Sequence, residues 1–557
     1  MAFRSLLLCT LTLVGCDDTA APLETESAEL LPLAGTNFVL RRLEELRSRL
    51  LFMNHQGDRL GPHGPSSQGR AVMIAQGDVT RISMTLPNVA GGSLRMRIGF
   101  RPESGRQWTF STRFVSDGDG PKRAIARIRR QERTATGELL ADDTLYETEL
   151  FRAHRGYWNV NLGTPSRPDV NQVLFLEVSN GEGSLGGTVD LVGPTFAAKV
   201  DPLAGKAIVN YIDADTIRSL EAPHDAQLRT LASAGHRVWV LGGIRDVSQF
   251  NQVMGLIANH ATLSQARFLL VMGGLATKAT CDLAYFRRAN EKTYDVPPLT
   301  IVTDDDASPL EPPDTALVRQ NCAELTTPSL ATDPRAAKLK SHLDMYIELA
   351  RHPLVAGLYL PDELASLGLP VEYQHTIHQY VNAALPELMV FGTHSFYVGS
   401  SATRSDQFAS EVASRYYSTA SADTWFFDYY TAPAIAAGAT RQQEAFLSFL
   451  SQRYFLAKPF VKLFYATVEK PQWPCSDPAR YRNMLCASEG LRGAVPHHQR
   501  KNWSSRGFWA YFNAEARTKP PDWDATLAYQ KNEFCQHQFD TVVQFSRAFR
   551  DGNTICP

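Results

Sequence analysis

Residues 355–363 read Val355-Ala356-Gly357-Leu358-Tyr359-Leu360-Pro361-Asp362-Glu363. An apolar run that stops at a proline and two acids is the pattern of a strand buried on both faces and ending near solvent. On either side the period turns helical, over Pro334–Arg351 before it and Val371–Ala384 after it. A buried strand between two helices is the unit of a parallel sheet, because parallel neighbours need a crossover between them.

The unit repeats in both directions. Strand segments fall at Ala207–Asp213, Arg237–Ile244, Arg267–Gly273, Val355–Glu363, Leu388–His394, Thr424–Tyr430, Phe460–Glu469 and Gly507–Asn513, with further helical pattern at Asp225–Ala234 and Gln442–Leu456. Eight strand–helix units within residues 199–557 predict an α/β TIM (β/α)8 barrel carrying insertions. The largest insertion runs from Ala276 to about Thr332, between the third and fourth strands. A doubly wound open sheet is the competing arrangement, but no G-x-G-x-x-G follows the first strand. Gly242-Gly243 and Gly273-Gly274 are isolated pairs and weak phosphate-loop signals.

Ahead of the barrel, over residues 71–198, the period is two. Thr80–Leu86, Leu94–Phe100, Trp108–Phe114 and Val173–Val178 alternate apolar with polar residues between Gly, Asn and Asp turns. That predicts an all-β sandwich or jelly roll, so the chain is multidomain. Such a domain beside an exported enzyme either binds carbohydrate or serves as a spacer. Trp108, Tyr157 and Trp158 are its candidate sugar-stacking rings, and core packing is the equal alternative.

Residues 1–16, MAFRSLLLCTLTLVGC, hold one early Arg4, a short apolar run and a small residue before Cys16. The run is too short to span a bilayer, which takes roughly 20 residues, and has the form of a secretory signal. Its end, Leu13-Val14-Gly15-Cys16, resembles the bacterial lipobox, which implies lipidation at Cys16 and a membrane-anchored, exported lipoprotein; an ordinary cleaved signal is the alternative. Residues 17–70 then read as an acidic tether and an N-terminal helix over Asn37–Phe52, from the spacing of Leu40, Leu43, Leu46, Leu50 and Leu51. Of the eight cysteines, Cys9 and Cys16 belong to the leader, and the other six form local couples. An oxidising compartment favours disulfides, and sequential pairing, Cys281–Cys322, Cys475–Cys486 and Cys535–Cys556, is the favoured one of fifteen connectivities. With no C-x-x-C and only an isolated His497-His498, neither a metal site nor a cofactor is expected.

The 56 Lys+Arg balance 58 Asp+Glu, for a formal net charge of -2, and no basic block occurs. That argues against nucleic acid as a partner.

In a barrel of this type the chemistry gathers at the C-terminal ends of the strands. Alternation puts Val355, Gly357, Tyr359 and Glu363 on one face of the fourth strand, and Val461, Leu463, Tyr465, Thr467 and Glu469 on one face of the seventh. Two carboxylates flanking a cleft are what glycoside hydrolysis requires: one protonates the leaving oxygen, the other attacks or activates water. Either acid alone also fits a helix cap or an ion pair; together, on these two strands, they favour the chemical reading.

The arrangement resembles the TIM-barrel clan of retaining glycoside hydrolases, and His352-Pro353-Leu354-Val355 through Asp362-Glu363 is similar to the glycoside-hydrolase-like barrels of uncharacterised bacterial proteins. The resemblance implies Glu363 as acid/base and Glu469 as nucleophile; Asp362 stands where most clan members carry Asn. It also implies substrate-binding roles for Tyr429 or Tyr430 and for Trp509. His394, Asp428, Trp473 and Arg245, at or just past strand ends, complete the candidate carbohydrate site, with surface or core packing as their alternative. Asp213 and Asp215 are cleft residues or helix caps. An Asp-Glu pair at this strand end also resembles the substrate-assisted hexosaminidases, whose His-x-Gly-Gly lead-in is absent. No His-x-His follows the first strand, against a metal-dependent barrel, and no G-x-S-x-G occurs, against an α/β-hydrolase esterase. A non-catalytic glycan-binding lipoprotein is the rival from another class.

Overall fold

The computed structural model describes residues 50–54, 69–76, 79–100, 106–116, 123–151, 155–161, 170–183, 185–203, 208–220, 222–273, 337–360, 371–395, 420–428, 460–463, 505–511, 536–551 and 553. The chain divides into two units, Met1–Ala198 and Lys199–Pro557.

The strands of the first are β1 (Leu50–Asn54), β2 (Arg70–Gln76), β3 (Val79–Thr85), β4 (Ser93–Phe100), β5 (Arg106–Ser116), β6 (Arg123–Arg133), β7 (Leu139–Phe151), β8 (Arg155–Asn161), β9 (Asn171–Asn180) and β10 (Thr188–Val200). They form two sheets, β1-β4-β9-β6-β7 and β2-β3-β10-β5-β8. From β3 to β10 the chain changes sheet at every connection except the β6–β7 hairpin. The resulting orders, β4-β9-β6-β7 and β3-β10-β5-β8, are those of a jelly roll, with β1 and β2 each extending an edge. Alternation explains the packing. Ile82, Met84, Val189 and Leu191 on one sheet, and Leu94, Met96, Leu174 and Leu176 on the other, are wholly buried, as two stacked apolar faces require.

The outer face of the first sheet carries a charge ladder instead. Arg95 Nε donates to Glu177 Oε2 at 2.6 Å, and Arg127, 3.6 Å from Glu177, donates to Glu147 at 2.5 Å. The candidate sugar-stacking rings are buried: Trp108 stacks on Phe196 at 4.8 Å and Trp158 meets Phe114 edge-on at 4.4 Å. Tyr157 is 4% exposed. None of the three offers an open platform.

One expectation is corrected. Leu50–Phe52, assigned by leucine spacing to the end of a helix over Asn37–Phe52, is strand: Leu50 pairs with Ile98 and Phe52 with Met96. An antiparallel ladder along β4 outweighs the weak local preference of a helix end. Residues 37–49 lie outside the described residues.

The second unit holds eight parallel strands: β11 (Ile208–Asp213), β12 (His236–Gly242), β13 (Arg267–Val271), β14 (Val355–Tyr359), β15 (Met389–Ser395), β16 (Thr424–Asp428), β17 (Phe460–Leu463) and β18 (Ser505–Tyr511). Each pairs with the next, and β18 pairs back to β11, which closes the sheet into a barrel. The described helices are α1 (Ala214–Arg218), α2 (Ala222–Ser233), α3 (Val247–Asn259), α4 (Ala337–Leu349), α5 (Val371–Ala384) and α6 (Gln536–Asp551). On α3, Phe250, Val253, Met254 and Ile257 form the buried stripe that helical periodicity demands. Val209, Val240, Leu269, Tyr359, Met389, Phe391 and Phe426 fill the barrel. Gly357 permits this filling, since a Cβ there would stand 2.6 Å from the Phe391 ring. Among the described residues, the barrel interior is thus filled by side chains, as in barrels of this type.

A buried polar link fastens α6 beneath the barrel. Asn210 Oδ1 accepts from the Tyr211 N–H, which turns its amide nitrogen to His236 Nδ1 at 3.3 Å. His236 is therefore neutral with its proton on Nε2, donating to Ser546 Oγ at 2.7 Å. Burial lowers its pKa to about 3. No described helix is long and apolar enough to cross a membrane.

Candidate functional site

The rim at the C-terminal ends of the strands is best defined at β11 and β12. Val209, Tyr211 and Asp213 alternate along β11, with Val209 in the barrel core and Tyr211 packed, partly buried, against it. Asp213 ends the strand and caps α1, its Oδ1 accepting from the Asp215 N–H at 2.9 Å. Tyr211 donates to the same carboxylate. Burial raises the Asp213 pKa; the charges of Arg218 and Arg245 and the Tyr211 hydrogen bond pull the other way.

The end of β12 is shaped to receive this pair. A Cβ on Gly242 would collide with the Tyr211 hydroxyl, and one on Gly243 would lie 2.5 Å from Asp213 Oδ1. Gly243 also has φ +74, a left-handed conformation that side chains disfavour. Arg245 follows, exposed, its N–H held by Gln249 Oε1 at 2.9 Å. Behind β12 and β13, the Tyr346 hydroxyl of α4 reaches two strand-end carbonyls, Ile244 at 3.0 Å and Gly273 at 2.9 Å. Burial pushes its phenol up to about 12, so it serves as a neutral donor shared between them.

Of the sequence candidates, Arg245 lies within electrostatic reach of Asp213. His394 and Asp428 close neighbouring strands, with His394 in register with Phe427 and Ser395 with Asp428. Trp509 is in β18, in register with Val209 and Leu463. Trp509 stands two residues before the end of β18, level with the last residue of β17. Glu363, Glu469, Asp362, Tyr429, Tyr430 and Trp473 lie outside the described residues, as do Cys16 and all three cysteine couples. Among the described residues no three His, Cys, Asp or Glu side chains are grouped so as to hold a metal ion.

Sequence reasoning missed Tyr211 and Tyr346. Tyr346 reads as one more apolar position beside Leu343 and Ile347, and only its long-range hydrogen bonds reveal the clamp. The Gly242-Gly243 pair was visible, but it admits a tyrosine and a carboxylate rather than a phosphate.

No family model matches the chain, and no curated protein matches it. Among solved structures it is similar to Xylanase10C from Cellvibrio japonicus in complex with xylopentaose, at 8% identity and TM-score 0.33 over 91% of this chain and 98% of that one. It is similar also to the Clostridium thermocellum N-terminal endo-1,4-beta-D-xylanase 10B complexed with xylohexaose, at 9% identity and TM-score 0.28 over 88% and 96%. A third is a calcium-binding mutant of Bacteroides uniformis beta-glucuronidase 2, at 10% identity and TM-score 0.28, over 77% of this chain and 45% of that one.

Proposed function

We propose that the chain is an exported glycoside hydrolase built on a TIM (β/α)8 barrel, which cleaves glycosidic bonds of a poly- or oligosaccharide with Glu363 as acid/base and Glu469 as nucleophile. The observation that carries this reading is the closed ring of eight parallel strands, in which β14 is fourth and β17 seventh. In the sequence, Glu363 comes four residues after the end of β14 and Glu469 six residues after the end of β17. Barrel chemistry gathers beyond the C-terminal ends of the strands, and that is the reason for choosing the acids that follow these two. Around them we assign His394, Asp428, Tyr429, Tyr430, Asp362, Trp473, Trp509 and Arg245 to sugar binding. Lipidation at Cys16 would tether the protein by its N-terminus, with the jelly roll as a spacer or a carbohydrate-binding domain.

The test uses the soluble form beginning after Cys16 and a panel of neutral oligosaccharides of glucose, xylose, galactose and N-acetylglucosamine. Hydrolysis by the unaltered protein is expected, with Glu363→Gln and Glu469→Gln each losing about a thousandfold or more in kcat while still binding. Retention of anomeric configuration accompanies a carboxylate separation of about 5–5.5 Å. Binding without hydrolysis by the unaltered protein would leave the non-catalytic glycan-binding reading in its place.

A further inference from the structure

We propose that Tyr211 and Asp213 form a specificity-determining corner of the barrel rim, in which Asp213 fixes the Tyr211 hydroxyl so that its oxygen accepts a hydrogen bond from a hydroxyl of a polyhydroxylated ligand. The proposal rests on the glycosidase reading above, because it places the ligand at the C-terminal rim.

Three observations support it. First, the pair is held at the strand end without being fully buried. The Tyr211 ring packs on the barrel core, yet Tyr211 and Asp213 are only partly buried, beside an exposed Gly243 and Arg245. Second, β12 makes way for them, since Gly242 and Gly243 lack the Cβ atoms that would strike the hydroxyl and the carboxylate. Third, the hydrogen-bond directions are fixed. Asp213 Oδ1 takes the Asp215 N–H, and the Tyr211 O–H hydrogen is committed to the same carboxylate. Toward a ligand the phenol oxygen can then act only as an acceptor. Sugar hydroxyls supply the matching donors; an ionised phosphate or carboxylate, with acceptors alone, does not. Of the neighbouring cations, Arg218 is paired with Asp215, and Arg245 flanks Asp213.

A purely structural Asp213 would act only as the cap of α1, and the two roles separate experimentally. In Asp213→Asn the side-chain oxygen still caps α1, but the amide nitrogen donates to the phenol, so a ligand hydroxyl must give up donating to the phenol and turn to accept from it. Tyr211→Phe keeps the ring packing and removes the oxygen. With the oligosaccharide of the panel that the unaltered protein binds best, both variants are expected to weaken binding about five- to tenfold, the worth of one hydrogen bond, with the melting temperature essentially unchanged. Should Tyr211→Phe fail to fold, Asp213→Asn decides alone. Binding by both variants within twofold of the unaltered protein would overturn the corner and leave the glycosidase reading standing. Failure of the unaltered protein to bind any member of the panel would overturn both.

Discussion

Lys199 Nζ lies 2.9 Å from Asp423 Oδ2, and neither side chain is exposed to water. The same ammonium donates to Asn382 Oδ1 at 2.6 Å and to the Leu388 carbonyl at 2.9 Å, while Asp423 Oδ2 also accepts from the Val390 N–H at 2.8 Å. His378 Nε2 stands 3.6 Å from the other carboxylate oxygen. The cluster joins the chain entering the barrel to α5 and to the starts of β15 and β16. It sits at the end of the strands opposite the rim, where side chains serve stability rather than chemistry.

Removing one member of a dry ion pair strands the other, at a cost of about 3–5 kcal/mol. Lys199→Met is therefore expected to destabilise the second unit by that amount in denaturant titrations. Combining it with Asp423→Asn is expected to recover part of the loss, because asparagine is neutral and keeps an acceptor for the Val390 N–H. A double variant no more stable than Lys199→Met alone would contradict the pairing.

His236 makes stability depend on pH. Its pKa is about 3 when folded and near 6.5 when the chain is open, so between these values the unfolded state binds the extra proton. Stability is complete above about pH 6.5 and falls as the pH drops toward 3, by about 1.4 kcal/mol per unit for this one group. Urea midpoints measured from pH 7 to pH 4 are expected to fall along this slope in the unaltered protein, and more gently in His236→Gln. Equal slopes in the two proteins would remove His236 as the cause.

Much of this architecture was readable from the sequence, for a physical reason. Barrel strands are covered on both sides, so Val238–Leu241 and Phe268–Leu270 appear as unbroken apolar runs, and each of the eight candidate segments overlaps a strand. The jelly-roll faces alternate because one side meets the core and the other meets solvent or charge. The helix read over Asn37–Phe52 failed at Leu50–Phe52, where leucine spacing fits a helix but the edge of β4 was open for pairing. The polar clusters were not readable at all. Lys199 and Asp423 are 224 positions apart, His236 and Ser546 310, and nothing local marks either couple. At the rim, Asp213 was legible as a cleft residue or a cap, but its tyrosine partner was not.

Tyr346→Phe tests the clamp behind the rim. The phenol donates to the carbonyls of Ile244 and Gly273, and its loss leaves them without that donor, at about 1–3 kcal/mol. The expected result is a lower melting temperature, with faster amide hydrogen exchange concentrated at the ends of β12 and β13. Destabilisation without that local change would assign Tyr346 to packing alone.

Gly243→Ala probes how tightly the β12 turn is shaped around Asp213. The left-handed backbone alone charges any side chain about 1–2 kcal/mol, and the new methyl would also meet Asp213 Oδ1 at 2.5 Å. Relief requires either the turn or the carboxylate to move. If the carboxylate moves, α1 loses its cap and Tyr211 its acceptor, so the variant is expected to lose both stability and oligosaccharide binding. Asp213→Ser separates the two effects, since serine still caps the helix but is too short to reach the phenol. Its expected signature is weakened binding at nearly unaltered stability. Gly243→Ala matching the unaltered protein in both measurements would mean that the turn does not grip Asp213.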